Sequence, residues 1–542
     1  MGTDNPSAGG NPVAHDALGS ASPACMAKSQ GNTAPGSQVN QEHFATDHLL
    51  IDLKSRTISS GFVTTVAQGV GFVLTIVSTM VLARLLTPQD FGLIAMVTAI
   101  MGFLQAFKDA GLSTATIQRK EITHAQVSNL FWINVGLGGA CSLIVAASSA
   151  AVAWFYRDSR LIGVNLALSF TFLLIGLTVQ HMALLNRQLR LKMVAAIEVG
   201  STLAAISVGI GMAWLNCGYW SLVGLQLTPP LVTLLLTWWA CRWRPQRPSR
   251  GSGTRSLVSF GVDLTAANLV SSFARGADAI LIGRFFGAEA LGFYSRAGAL
   301  LRRPLDQFLN PIVSVAVPVL SRIHSEPERY RRMFLRVYEA MALISFLGSG
   351  IAMPLARPVV LVLLGAQWEK AAGIFAGFAI AAMYAAVTTT TSWLFTSQGR
   401  GRDLLVASTV TSALTVAAFI AGFPFGPIGM AFAWSVSGLL IRLPYTYYKV
   451  GRQGPVSTTD LWLGFFQHLP VWIVSLGATW GMRLLVKDSS PIMQLLICGP
   501  VGLLAGIAVT FSLRPTRRTA LYALTTMSEF FGRRRGVSEA HG

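Results

Sequence analysis

From residue 57 onward the chain is a succession of long apolar stretches separated by short polar or basic breaks. A helix needs about 20 predominantly apolar residues to cross the hydrocarbon of a bilayer. By that criterion the sequence predicts about fourteen spans, roughly at 61–86, 91–111, 126–154, 161–185, 194–215, 218–241, 257–286, 290–321, 333–356, 370–397, 403–422, 427–448, 461–485 and 491–513. The breaks alternate in charge. One set carries Lys108, Arg119 and Lys120, then Arg187, Arg190 and Lys192, then the run from Arg242 to Arg255, and later Arg322 to Arg336, Arg400 and Arg402, and Arg442, Lys449 and Arg452. The other holds only Arg84, Arg157, Arg160, Arg284, Arg357, Lys370, Arg483 and Lys487. Basic residues stay on the cytoplasmic side, so a bias of about threefold that persists along the chain predicts that both termini are cytoplasmic.

A second pattern lies inside two of the stretches. Phe260 to Phe286 is apolar enough to span, yet it holds Asp263, Arg275 and Asp278. At about 100° per residue, Asp263, Asn268, Ser271, Arg275 and Asp278 fall within about 140° of one another, with Val262, Leu269, Phe273 and Ile280 on the other side. In the next stretch Arg296, Arg303, Asp306, Gln307 and Asn310 share a face about 100° wide. Charges at membrane depth are costly and face a protein interior or a watery cavity. Two adjacent helices thus present arginine-bearing stripes to a common space. The alternative is that Arg275 and Asp278, one turn apart, form a structural ion pair inside a bundle. Arg275, Arg296, Arg303, Asn268 and Asn310 are the candidate substrate-binding residues. A carboxylate in a desolvated cavity can change protonation in the working pH range. This makes Asp263 and Asp278, with Glu198 and Glu339 behind them, the ion-coupling candidates.

Composition agrees with the membrane reading. Of 542 residues, 52% are hydrophobic and 12% charged, where a soluble protein carries about 25% charged residues. The formal net charge of +19 falls between apolar runs, as membrane orientation demands, and does not indicate nucleic acid. Five cysteines, Cys25, Cys141, Cys217, Cys241 and Cys498, show no metal spacing and no paired framework. Residues 1–56, rich in Gly, Ala, Ser, Asn and Pro, read as a disordered cytoplasmic tail with no signal peptide. No phosphate loop, metal cluster or Ser/His/Asp arrangement stands out, no external loop is long enough for a domain, and no cofactor is expected. His181, alone in an apolar stretch, reads as a packed residue.

An internal repeat organises the rest. VLARLLTPQDFGLIAMVTAI, from Val81, aligns with ILIGRFFGAEALGFYSRAGAL, from Ile280, pairing Arg84 with Arg284 and Gly92 with Gly292. The fold class is therefore all-α: a polytopic membrane protein of about 14 transmembrane helices in two repeated lobes of six plus two C-terminal helices. The expected divisions are an N-lobe at 57–241, a basic cytoplasmic linker at 242–256, a C-lobe at 257–450, two last helices at 451–513 and a basic cytoplasmic tail at 514–542.

VLARLLTPQDFGLIAM, AWLNCGYWSLVGLQL from Ala213, ADAILIGRFFGAEALGFYSRA from Ala277, VSVAVPVLSRI from Val313 and LGAQWEKAAGIF from Leu364 resemble the polysaccharide transporter family of the multidrug/oligosaccharidyl-lipid/polysaccharide flippase superfamily. The resemblance runs from about Ser59 to about Arg452 and rests on structural signatures. It implies two lobes around a central cavity and alternating access driven by an ion gradient or the membrane potential. The implied cargo is an undecaprenyl-diphosphate-linked oligosaccharide, moved across a bacterial inner membrane for exopolysaccharide, capsule or lipopolysaccharide synthesis. The expected partners are that substrate and the bilayer, with a glycan polymerase and export machinery as further candidates. A peptidoglycan lipid precursor flippase and a cation-coupled drug exporter are the transport alternatives. A membrane polymerase or ligase is the alternative of another class, disfavoured by the short external loops, and a structural assembly partner is a third; the chain is expected not to be an enzyme.

Overall fold

The computed structural model describes residues 53–108, 122–249 and 255–522, with positions 113, 116, 117 and 525. Over 53–62, 103–108 and 255–275 it describes the course of the helix and not the side chains. Most of the expected tail at 1–56, the end of the tail at 514–542 and residues 250–254 of the linker lie outside the described residues.

In the first part of the chain, α1 (Leu53–Leu85) and α2 (Pro88–Lys108) form a hairpin. They are followed by α3 (His124–Ala147), the short α4 (Ser149–Tyr156), α5 (Arg160–Arg187), α6 (Leu191–Trp214) and α7 (Trp220–Ala240). The 68-residue α8 (Arg255–Arg322) leaves helical geometry at Gly287, where φ is 84°, and is in effect two arms joined by a bend. A positive φ of this kind suits glycine. Then come α9 (Pro327–Ala352), α10 (Ala356–Leu363), α11 (Ala371–Ser397), α12 (Gly401–Gly422) and α13 (Gly426–Ser437). A π-helical turn (Gly438–Arg442) leads into α14 (Leu443–Gly451), and α15 (Thr458–Phe466), α16 (Leu469–Leu485) and α17 (Pro491–Ser512) complete the series.

Helix starts follow the local chemistry. Thr123 and Gln126 close a capping box at the start of α3, and Ser457 and Asp460 close another at α15. The described part of the basic linker is extended and pinned along α3. The Asn129 side chain pairs with the Ser249 backbone at 2.7 and 2.9 Å, and Trp132 Nε1 donates to Gln246 O at 2.8 Å.

Each of the fourteen stretches expected from the sequence contains helix. Ten helical segments of the described residues are long and apolar enough to cross a membrane. Residues 401–451 form one such segment, and neither α2 nor the charge-bearing α8 is among the ten, so the count of fourteen rests on the reading of those three regions. One sequence reading is corrected here. Arg442, expected in a basic connection, lies inside the helical run 426–451, at the end of the π turn.

Packing defines two groups. In the first, α1 packs on α6, α6 on α7, α3 on α5 and α5 on α7. In the second, α8 packs on α11 and α12, while α9 packs on α11, α15, α16 and α17. The two groups meet chiefly where α2 crosses α8. The buried apolar residues report the shape. One core gathers residues beside the turns at one end of the helices in both groups, among them Leu86, Tyr156, Leu222, Ile282, Leu291 and Trp368. At the opposite end there are two separate cores, one around Phe131, Leu185 and Trp243 and one around Tyr330, Tyr338 and Tyr447. The groups share a core at the Gly287 end and keep their own cores at the other.

The seam at the shared end is built from the repeated sequence. A Cβ on Gly92 would run into the Ala288 carbonyl, and a Cβ on Gly292 would run into the Pro88 carbonyl. Residue pairs related by the repeat exchange the same contact, as a pseudo-twofold axis requires. The paired arginines exchange partners as well. Arg84 Nη2 donates to Val362 O of α10 at 3.0 Å, and the Arg284 guanidinium sits 5.8 Å from the Phe155 ring of α4. Each reaches an eight-residue helix of the opposite group.

Candidate transport cavity

Arg296 and Arg303 lie seven residues apart on the second arm of α8, two turns along one face. That face borders the space between the groups. A cavity of about 340 Å³ is lined by Gln68, Phe72 and Thr75 of α1, Glu198 and Thr202 of α6, and Arg303, Asp306 and Gln307 of α8. A neighbouring pocket of about 90 Å³ shares Phe72, Thr75 and Arg303 with it and adds Arg296 and Pro304. The larger cavity lies away from the Gly287 seam, while the smaller one reaches toward it through Met80, Leu363 and Leu364.

The two arginines are held differently. Arg296 lies with its guanidinium 4.6 Å from the centroid of the Phe91 ring, and its Nε has no hydrogen-bond partner among the described residues. A cation over a ring face is stabilised without using its N–H donors, so Phe91 anchors the Arg296 guanidinium beside the pocket it lines. Arg303 is exposed within the cavity. Glu198 and Asp306 supply the only carboxylates on the described lining.

Other sequence candidates fall elsewhere. Asp278 does not line the space between the groups. It is buried in the wall of a second cavity enclosed by helices of the second group. Its Oδ1 accepts from the Ala279 backbone N–H at 2.7 Å, and Arg302 lines the same cavity. The Tyr294 hydroxyl lies beside it without closing a hydrogen bond of normal geometry. Glu339 also stands apart, its carboxylate accepting from Thr519 Oγ1 at 2.9 Å in the C-terminal stretch. The side chains of Asp263, Asn268, Arg275 and Asn310 lie outside the described residues, as does the proposed Arg275–Asp278 pair. His181 is fully buried and stacked on Trp238 at 4.6 Å.

Two arginines were missed. Arg302, next to Arg303 in sequence, is turned about 100° from it and lines the second cavity. Arg442 joins it there, with Nη1 donating to Thr415 Oγ1 at 2.8 Å and its guanidinium 5.0 Å from the Trp434 ring. The adjacency of Arg302 and Arg303 carried a signal, since neighbours on a helix cannot face the same way. Nothing in the sequence marked the π turn.

Two groups of apolar helices, joined at one end and bordering a charged space at the other, define a multi-pass membrane protein built like a transporter. The chain belongs to the polysaccharide biosynthesis protein family, whose profile matches residues 81–373, more than half of its length. The match takes in both copies of the repeat and both arms of the α8 bend. The lipopolysaccharide biosynthesis protein WzxC of Escherichia coli K12 is 23% identical over 440 residues, 78% of this chain and 88% of that protein. The teichuronic acid biosynthesis protein TuaB of Bacillus subtilis is 30% identical over 258 residues, 45% of this chain and 51% of that protein. Among solved structures, the lipid II flippase MurJ in an inward closed conformation superposes with a TM-score of 0.66 at 14% identity, over 83% of this chain and 99% of that one. That likeness establishes the fold.

Proposed function

We propose that the protein is a flippase that carries undecaprenyl-diphosphate-linked oligosaccharide repeat units from the cytoplasmic to the outer leaflet of a bacterial inner membrane. The observation that carries this reading is the pairing of Arg296 and Arg303 on one helix face, lining the space between the two groups of helices. A diphosphate-linked, hydroxylated headgroup cannot enter hydrocarbon unaided. A guanidinium stays charged in low dielectric and grips phosphate in a two-pronged fork. A lipophilic cation would call for carboxylates and aromatics in their place.

In this reading the first group is an N-lobe at 57–241 and the second a C-lobe at 257–450, joined by the basic linker and crossing the membrane fourteen times with the two last helices. The loop charges put both termini and the linker in the cytoplasm. The glycine seam then closes the external side, while the space bearing Arg296 and Arg303 belongs to the cytoplasmic side. Transport alternates the two ends, with Asp278 or Glu198 as the carboxylate that couples it to an ion. The molecule transports and does not catalyse.

A strain lacking the gene, supplied with it on a plasmid, tests the proposal. Without the gene, lipid-linked repeat units should accumulate facing the cytoplasm, and the plasmid should clear them. Accumulation of no lipid-linked glycan would overturn the assignment. A reporter active only outside the cytoplasm should be silent when fused in the Arg242–Arg255 linker and active near Asn216 or Pro424; activity in the linker would reverse the orientation.

A further inference from the structure

The second cavity plays no part in holding the diphosphate, yet it is the larger of the two. Its volume is about 400 Å³, and it lies among α8, α11, α12, α13, the π turn and α14. Its wall is not that of an ordinary helix interface. Thr388, Ser392, Thr411, Thr415 and Thr446 all face it. Each of these hydroxyls spends its hydrogen on a carbonyl of its own helix, at 2.6 to 2.9 Å. What a hydroxyl has left after donating is its lone pairs. The wall is therefore a row of hydrogen-bond acceptors, one of which, Thr415 Oγ1, already takes Arg442 Nη1, the others facing the cavity for a ligand's O–H groups.

The charged groups complete the specification. Two arginines, Arg302 and Arg442, stand against one carboxylate, Asp278, on the described lining, an excess of basic over acidic groups. Arg442 is fixed on three sides, with Nη1 donating to Thr415 Oγ1, Nη2 donating to the Trp434 carbonyl and its guanidinium against the Trp434 ring, so it contributes its charge to the cavity. The π turn that holds it depends on Gly438, where a Cβ would meet both the Tyr384 hydroxyl and the Arg442 guanidinium. π turns recur at functional sites. Trp434 and Phe378, packed edge to face with centroids 5.7 Å apart, supply aromatic surface.

An isoprenoid tail would need neither guanidinium nor acceptors. An inorganic anion would need neither the aromatic surface nor the acceptor row. A pyranose ring carrying a carboxylate uses all three: its hydroxyls donate to the wall, its C–H face lies on an aromatic ring, and its carboxylate meets the positive charge of Arg302 and Arg442. We propose that the cavity between Asp278, Arg302, Trp434 and Arg442 is a binding site for one acidic sugar residue, such as a hexuronate. The site is independent of whether the central space carries a lipid diphosphate. It touches that space through one helix, because Arg302 and Arg303 are neighbours facing opposite cavities.

The test is saturation-transfer NMR on the full chain in lipid nanodiscs, with methyl β-D-glucuronide, methyl β-D-glucoside and inorganic phosphate as probes. The glucuronide should bind saturably and about tenfold more tightly than the glucoside, the difference made by one charge-assisted contact. Arg442→Gln should remove that preference. Arg303→Gln, whose side chain faces the other cavity, should leave it in place. Should Arg442→Gln reduce the folded protein, Thr411→Val serves instead, since it keeps the guanidinium and should weaken both glycosides. Equal binding of the two glycosides would overturn the proposal, as would full displacement of the glucuronide by equimolar phosphate. Loss of the preference on Arg303→Gln and not on Arg442→Gln would move the anion to the central space, overturning this inference and leaving the flippase reading intact.

Discussion

The two ends of the molecule use opposite chemistry. At the Gly287 end the groups share one core and approach so closely that Gly92 and Gly292 pack against the backbone of the other group. At the other end each group keeps its own core, and the space near them is bordered by Arg303, Glu198 and Asp306. A seam made of glycine and carbonyl has no side chain to rearrange. It is either shut or parted, which suits a gate. A space lined by long charged side chains can adapt to cargo, which suits a binding site.

The largest effect should come from the seam. Gly292→Leu places a side chain where the Pro88 carbonyl stands, and overpacking of this kind costs about 1–3 kcal/mol. That is roughly a ten- to hundredfold loss of the closed arrangement. A single cysteine replacing Leu291, which is buried here, should become reactive to an impermeant maleimide in the Gly292→Leu background, and transport should fall in proportion. Unchanged reactivity would mean that the seam is not what closes this end.

The open end should respond next. Arg296→Ala and Arg303→Ala each remove a charge-assisted contact worth about 1.5–3 kcal/mol, so each should lower transport about tenfold or more at near-normal membrane abundance. Arg→Lys should be intermediate, because Lys keeps the charge and loses the fork. A smaller and more specific effect belongs to Asp278→Asn. If Asp278 couples transport, the variant should lose its response to an imposed pH gradient; full transport with an unchanged response would make Asp278 a fixed counter-ion of Arg302. The least effect is expected at the Arg331–Asp460 bridge, 2.6 Å long with the arginine side chain 40% exposed. Two N–H···O bonds of 2.8 and 2.6 Å to a carboxylate 11% exposed place it at or above the roughly 1 kcal/mol limit of an exposed pair, so Arg331→Ala should lower the melting temperature and leave transport alone.

Much of this architecture was legible in the residues. Run length placed the helices, and the repeat paired Gly92 with Gly292 as equivalent positions, though not as neighbours across a seam. Of the second stripe, Arg303, Asp306 and Gln307 line one cavity, and Arg296 joins Arg303 in the pocket beside it. Periodicity relates residues within one helix and says nothing of which neighbour each face meets. That is why Asp278 lines a different cavity from Arg303, and why Glu339 sits against Thr519 instead of the central cavity. Arg442 was hidden for a different reason. Its place depends on a π turn, whose extra residue per turn shifts the register of everything after it.

The central claim is that Arg296 and Arg303 hold the diphosphate of a lipid-linked glycan while the glycine seam closes the far side. The most direct measurement uses purified protein reconstituted in vesicles loaded with lipid-linked repeat units, reading the fraction exposed to an external glycan-cleaving enzyme with time. The wild-type chain should expose the inner-leaflet pool, and the double variant Arg296→Ala/Arg303→Ala should leave that pool protected while reconstituting in equal amount. Equal exposure by the double variant and the wild type would contradict the account.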